Sequence, residues 1–405
     1  MCRQKIYPVI TLFCCCLLFG CAIGLLGNCI GLFITPISQS LGITIGSLSI
    51  FVTLQNLSTA FCNLLYPFFM KRFKIQHLIR YGVLRCSGNL LLMSCYHSYA
   101  GFYLSGIIAG TGIVCFSNVT CVSILQNWFK RNNGLVVSLA MAFSGIMGAI
   151  MNPVLGRIIV SFGWRSGFRC AAVLLLVMTL PCSFFLRSTP GEYGVFPVGE
   201  AGASIAQDDG GRGKMPKLAL VLLVICVVCF HAPVGLNSHL SSFGMSLGMT
   251  LTESANLVMI AMLANVVFKI VLGWLSDRLG IFKAVIITCC ITLVGLLLWL
   301  TVPASSNWFL LGAFLFGAAY GTGNVCLPLI IRVFVGNEGF SAFYSRIMLM
   351  ISLSVAVFTS VIGLLYDYFQ SYRPVLVMLG GAVMIGMLAV LWMGRVAKRR
   401  RWSDE

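Results

Sequence analysis

Long apolar runs, each closed by a short polar break, recur along the whole chain. They fall approximately at 7–36, 43–70, 77–98, 100–127, 133–161, 165–187, 217–245, 250–276, 282–303, 306–333, 339–366 and 373–395. A helix needs about 20 apolar residues to cross a hydrocarbon core of roughly 30 Å. The pattern therefore predicts an all-α polytopic membrane protein of twelve transmembrane helices joined by short loops. The longest polar stretch, 188–216, holds STPGEYG and AQDDGGRGK and reads as a cytoplasmic linker. It separates an N-terminal six-helix half, 1–187, from a C-terminal half, 217–395, with a basic cytoplasmic tail at 396–405. Internal symmetry supports two halves: the fifth run ends GRIIVSFGWR and the eleventh GLLYDYFQSYR, with Gly156 and Gly363 in matching places. Parallel halves about an axis along the membrane normal are a known transporter plan.

Composition agrees with lipid as the solvent, since 59% of the 405 residues are hydrophobic and only 9% charged. The net charge of +17 changes the picture less than it first suggests. Its residues sit in short clusters between apolar runs and build no basic domain, which excludes nucleic acid as a partner. Lys71, Arg72, Lys74 and Arg80 follow the second run, Lys130 and Arg131 the fourth, Arg278 and Lys283 the eighth, and Arg332 the tenth. The alternate breaks ITPISQSLGIT, CYHSYAG, SLGMTLTE and VPASSN carry no Lys or Arg. By the positive-inside bias the first set, both termini and the linker are cytoplasmic. Arg165, Arg169 and Arg373 are exceptions, at equivalent places in the two halves. Arg3 and Lys5 precede a first run that no small-residue cleavage site ends, so it reads as a retained span.

The 18 cysteines include Cys14, Cys15 and Cys16 and a lone C-x-x-C at Cys226 and Cys229. No second pair or histidine stands at zinc spacing, so they read as small hydrophobes, with neither metal nor disulfides expected. Four scattered histidines without H-E-x-x-H spacing do not build an enzyme site, and no cofactor is expected.

The strongest motif is GWLSDRLGIFK, Gly273 to Lys283. It resembles the major facilitator superfamily, whose loop between the second and third helices of each half reads G-x-L-x-D-R-x-G-x-x-K. Gly273, Leu275, Asp277, Arg278, Gly280 and Lys283 match. The resemblance implies a gating loop, in which Gly273 lets two helices approach and Asp277 caps a helix or pairs with an arginine. In the first half the same place reads YPFFMKRFKIQ, with Lys71 where the aspartate would stand, so its basic residues are free to meet lipid headgroups. Trp128, Phe129, Gly134, Gly145, Gly148, Pro153, Gly163, Trp164, Arg165, Gly363, Tyr366 and Asp367 further resemble the oxalate/formate antiporter and monocarboxylate porter branch.

Intramembrane charge bears on the cargo. Lys269 lies eight residues before Asp277, roughly 12 Å inside the helix end at 1.5 Å per residue. An ionisable residue at that depth normally faces a cavity. The branch resemblance implies a carboxylate contact there, where its members carry an arginine. Asn265, one turn earlier, shares the face. Glu253, Asp277, Glu338 and Asp367 all fall near helix ends, so no deep acid favours a cation. Arg346 is either a second cationic contact or an interfacial residue. The oxalate-transporting members carry a second cation near Ile351 or Ser352, and its absence favours a monocarboxylate over a dianion. Asn28 stands where members often have an aromatic residue. His231 is either a packing residue or a buried proton carrier; His239 resembles a polar position recurrent in the family. Tyr320, Asn324 and Asn118 are further polar cavity candidates.

These readings predict a monomeric plasma-membrane carrier of a small organic anion, coupled to a proton or a counter-anion. A carrier of neutral or drug-like solutes on the same fold, or a transporter-like receptor without flux, are the alternatives.

Overall fold

The computed structural model describes residues 2–129, 133–199, 217–327, 330–331, 334 and 340–404. The chain forms two compact units, Met1–Ala206 and Gln207–Glu405.

In the first unit, α1 runs as Cys2–Phe19, passes through a π-helical stretch, Gly20–Asn28, and continues as Gly31–Leu41. α2 is Ile45–Arg72 and α3 is Ile75–Met93. α4 comprises Tyr99–Ile113, a 3-10 turn Val114–Phe116, and Asn118–Trp128. The helical path Asn133–Thr179 is broken at Gly163, with φ 79° and ψ 163°, into α5 before it and α6 after it.

The second unit opens with α7, made of Lys217–Gly235, a 3-10 turn Leu236–His239, and Leu240–Ser246. α8 is Leu251–Leu279 and α9 is Ile281–Thr301. α10 comprises Asn307–Phe316, Ala318–Gly321 and a π-helical turn, Thr322–Cys326. α11 is Phe340–Phe369 and α12 is Arg373–Asp404. Helix α12 thus continues through the segment expected as a separate tail.

Local chemistry sets these boundaries. Thr44 caps α2 by accepting from Ser47 N, and Thr250 and Glu253 form a reciprocal capping box at the start of α8. Nine stretches among the described residues are long and apolar enough to cross a membrane. One of them, Leu139–Phe185, contains the break at Gly163 and so supplies two passes. Helix α3, with Arg80 and Arg85, and the apolar helix Asn307–Gly321 complete the twelve. Outward side chains such as Phe61, Leu65, Ile385 and Trp392 are apolar, as a lipid-facing surface requires.

Within each unit, small residues bring helices together. A Cβ on Gly106 or Gly110 would collide with the carbonyl oxygens of Phe51 and Gln55, so this G-x-x-x-G pair lets α4 lie directly on α2. In the second unit Gly317 packs against Ala264 in the same way.

The start of the expected linker is folded back on the first unit. Trp128 Nε1 donates to Arg187 O at 3.0 Å, Asn127 Nδ2 to Ser188 O at 3.0 Å, and Val198 N to Trp128 O at 2.9 Å. Tyr193 stacks on Tyr7 with ring centroids 4.1 Å apart. Thr189 and Glu192 form a capping box around the 3-10 turn Pro190–Tyr193. Composition marks the stretch as a linker, and partners upstream hold its first part, to Val198, against the first unit.

Candidate functional site

Among the described residues, four helices are interrupted by π or 3-10 turns, and they are the first and fourth of each unit. The turns are Gly20–Asn28 in α1, Val114–Phe116 in α4, Leu236–His239 in α7 and Thr322–Cys326 in α10. Such turns free main-chain groups and shift side chains out of helical register, which suits a polar site inside a membrane protein.

Polar residues gather on these turns. In the first unit, Asn28 closes the π stretch and donates to Ser144 O at 3.3 Å. Asn118 begins the part of α4 beyond the 3-10 turn, and its buried Oδ1 has no hydrogen-bond partner among the described residues. In the second unit, the Tyr320 hydroxyl donates to Asn237 Oδ1 at 3.0 Å, joining α10 to α7. His239 Nε2 stands 2.9 Å from Thr359 O on α11.

His231 is buried on α7, with Nδ1 2.8 Å from Val227 O. A carbonyl only accepts, so Nδ1 carries the hydrogen and Nε2 presents a lone pair. That Nε2 is buried and has no partner among the described residues. It faces the π turn of α10, 3.2 Å from the position a Cβ on Gly323 would take.

Lys269 is half-buried on α8. The only ion pair among the described residues joins Arg187 and Glu192, at 4.0 Å, so none of them neutralises Lys269. Its backbone nitrogen stands 3.6 Å from the Cβ position of Gly321, so α8 crosses α10 at this point. Asn265, one turn earlier, is buried, and its Oδ1 has no partner among the described residues. The second unit therefore brings His231, Tyr320 and the Lys269 backbone onto one short stretch of α10, residues 320–323.

The remaining expected positions distribute differently. Asn324 belongs to the same π turn, but its side chain, like that of Asp277, lies outside the described residues. Arg346 is exposed on α11, and no described contact joins it to the α10 group. At the turn between α8 and α9, Gly280 has φ 81° and ψ 152°, a conformation essentially restricted to glycine. The Arg278 guanidinium lies over the Trp274 ring at 5.1 Å, and Lys283 is exposed. The expected close helix approach at Gly273 is not found. A Cβ there would meet nothing within 4 Å among the described residues, because this end of α8 turns an exposed face outward.

Asn237 and the glycines of the π turn were not singled out from the sequence. Their signal was a glycine- and proline-interrupted apolar run, APVGLN at 232–237 and YGTGN at 320–324.

Comparison with known proteins agrees with this architecture. The Major Facilitator Superfamily model matches residues 12–342. Monocarboxylate transporter 12 of Xenopus laevis is 25% identical over 370 residues, covering 84% of this chain and 79% of that protein. Its counterpart from Rattus norvegicus is 24% identical, covering 80% and 72%. The nucleoside transporter NupG superposes with a TM-score of 0.72 at 12% identity, over 96% of this chain and 99% of that one. A D-xylose-proton symporter superposes with a TM-score of 0.69 at 14% identity, over 96% and 97%. Both share the fold. A multi-pass chain of two helical units, with interrupted helices at equivalent places and a family match over most of its length, belongs to the Major Facilitator Superfamily.

Proposed function

We propose that this transporter moves a small organic anion of the monocarboxylate class across the plasma membrane by alternating access. The observation that carries the reading is Lys269, a cation deep in α8 without a described carboxylate partner, at the crossing with the irregular part of α10. An unpaired ammonium at membrane depth is costly even when half-buried, and a bound carboxylate offsets that cost by charge-assisted hydrogen bonds. The relatives named as monocarboxylate transporters support the same cargo.

In this reading Lys269 pairs the carboxylate and Asn265 orients it, with Tyr320, Asn324, Asn28 and Arg346 as further polar contacts. His231 takes up the coupling proton at Nε2, exchange against a counter-anion being the other route. Gly273, Asp277, Arg278, Gly280 and Lys283 serve the gate between conformations. Both termini and the 188–216 linker are cytoplasmic, and the working unit is a monomer.

A second reading, transport of a neutral hydroxylated solute, draws on the buried Tyr320–Asn237 pair, which would serve such a ligand as well as an anion. Counterflow in proteoliposomes separates the two, using labelled mono- and dicarboxylates beside a neutral sugar and a nucleoside. Exchange of monocarboxylates alone is the expected result. A sugar or nucleoside as the best solute would replace the anion reading.

A further inference from the structure

A cavity lies at the end of the second unit opposite the Gly273–Lys283 turn. It has a volume of about 290 Å³ and is bounded by the ends of α7, α9 and α11 and the start of α12. That volume accommodates a solute of on the order of ten non-hydrogen atoms, taking roughly 30 Å³ for a water molecule as the gauge. Phe243, Trp299 and Tyr372 form an aromatic cluster on its lining, with ring centroids 5.3 Å apart for Phe243 and Trp299 and 5.6 Å for Phe243 and Tyr372.

One side of the lining is cationic. Arg373, the first residue of α12, is exposed, and its guanidinium makes no hydrogen bond, ion pair or ring contact among the described residues. Its counterpart in the first unit, Arg165, is occupied: it donates to Tyr96 O at 3.3 Å and lies over the Trp164 ring at 4.2 Å. The same place in the two repeats therefore holds a structural arginine in one and an uncommitted arginine beside a cavity in the other. Tyr372, only 2% exposed, turns its hydroxyl toward Ser242 of α7. Gln370, also on the lining, has φ 50°, the only non-glycine positive φ among the described residues. Strain of this kind persists where the surrounding structure holds a turn in a set shape. No carboxylate belongs to the lining; Asp367, near enough to Tyr372 to act on it electrostatically, is not part of it.

We propose that this cavity is a second binding site, separate from Lys269, for an apolar or aromatic monocarboxylate, with Arg373 holding the carboxylate and the aromatic cluster holding the hydrocarbon. The combination selects for charge and for an apolar body together. A simple inorganic anion would leave the aromatic surface unused, and a neutral solute would leave the guanidinium unpaired. The site does not depend on the cargo reading, because its residues lie at the far end of the unit from the gate turn.

The test uses the full-length protein in lipid nanodiscs, with the exposed Cys95 and Cys290 replaced by serine and a reporter thiol introduced by Ala304→Cys on the cavity wall. Phenylacetate should slow maleimide labelling of that thiol, and its uncharged isostere phenylacetamide should protect at least tenfold less well. Arg373→Gln should raise the protecting concentration by ten- to a hundredfold, Arg373→Lys by less, and Lys269→Gln should leave it unchanged. Protection lost in Lys269→Gln but kept in Arg373→Gln would assign the effect to the α8 site and overturn the proposal. Equal protection by acid and amide, or none by either, would overturn it without any variant of Arg373 having to fold.

Discussion

The Nε2 atom of His231 stands 3.2 Å from where a Cβ on Gly323 would lie, with the Phe230 carbonyl oxygen 3.3 Å from the same point. A buried lone pair on α7 thus looks onto a π turn of α10 whose glycine leaves it room. Gly323→Ala would press on both atoms, a tight contact costing about 1–3 kcal/mol if the helices do not yield. It should lower transport. His231→Asn should fold but abolish the stimulation of uptake by an inward proton gradient, compared in proteoliposomes at pH 6 and pH 8 outside. Unchanged stimulation in His231→Asn would remove His231 from the coupling step.

Lys269 tests the cargo. A hydrogen bond to a charged group is worth about 1.5–3 kcal/mol, and about 1.4 kcal/mol corresponds to a decade of affinity. Lys269→Gln should therefore weaken anion binding by roughly ten- to a hundredfold, while Lys269→Arg retains more. Competition against a labelled monocarboxylate in counterflow measures both. Parental exchange by Lys269→Gln would make the lysine structural.

Gly280 and Gly163 share an unusual backbone, φ 81° with ψ 152° and φ 79° with ψ 163°. That region costs a residue with a side chain of order 1–3 kcal/mol. Gly163→Ala and Gly280→Ala should each lower the thermal unfolding midpoint of the purified protein. Asp277→Asn, next to the second turn, should instead slow exchange and leave equilibrium substrate binding within a few-fold. Loss of binding in a folded Asp277→Asn protein would place that residue in the substrate site.

The strap at 186–198 gives a local prediction. Its capping box joins Thr189 and Glu192, and Tyr193 stacks on Tyr7 and meets Trp128 edge-on at 6.2 Å. Loss of a cap costs about 1 kcal/mol. Thr189→Ala should raise amide hydrogen exchange within residues 187–198, and Tyr193→Ala should raise it further, with exchange in α8 and α9 unaffected. Uniform change across the chain would show that the strap is not an independent element.

Orientation is tested beyond the strap, at Ser204. On a background without reactive native thiols, a cysteine introduced there should resist an impermeant reagent added to intact cells and react after permeabilisation. Labelling in intact cells would reverse the assignment of the linker to the cytoplasm.

Twelve helices can be read directly from the chain because lipid offers the backbone no hydrogen-bond partner, so each apolar run must close its own bonds as a helix. Lys269 and the Gly273–Lys283 turn were equally legible, one because a charge inside an apolar run is costly and the other because its spacing is local. The candidate site itself was not. The Tyr320–Asn237 bond spans 83 positions, and the irregular turns of α1, α4, α7 and α10 shift which residues face one another after the helical register has been counted. Whether Gly273 marks a close approach also depended on the neighbour, and α8 has none there within 4 Å among the described residues. Residues 188–198 read as part of a linker by composition, and only packing shows that Tyr7, Asn127 and Trp128 hold this part. Arg165 and Arg373 occupy equivalent places in the two repeats, but only packing decides that one is tied to Tyr96 O and the other is left at a cavity. Hydrophobic periodicity is a property of neighbours along the chain. Partner choice for a buried polar group is a property of neighbours in space, and it is settled only when the helices pack.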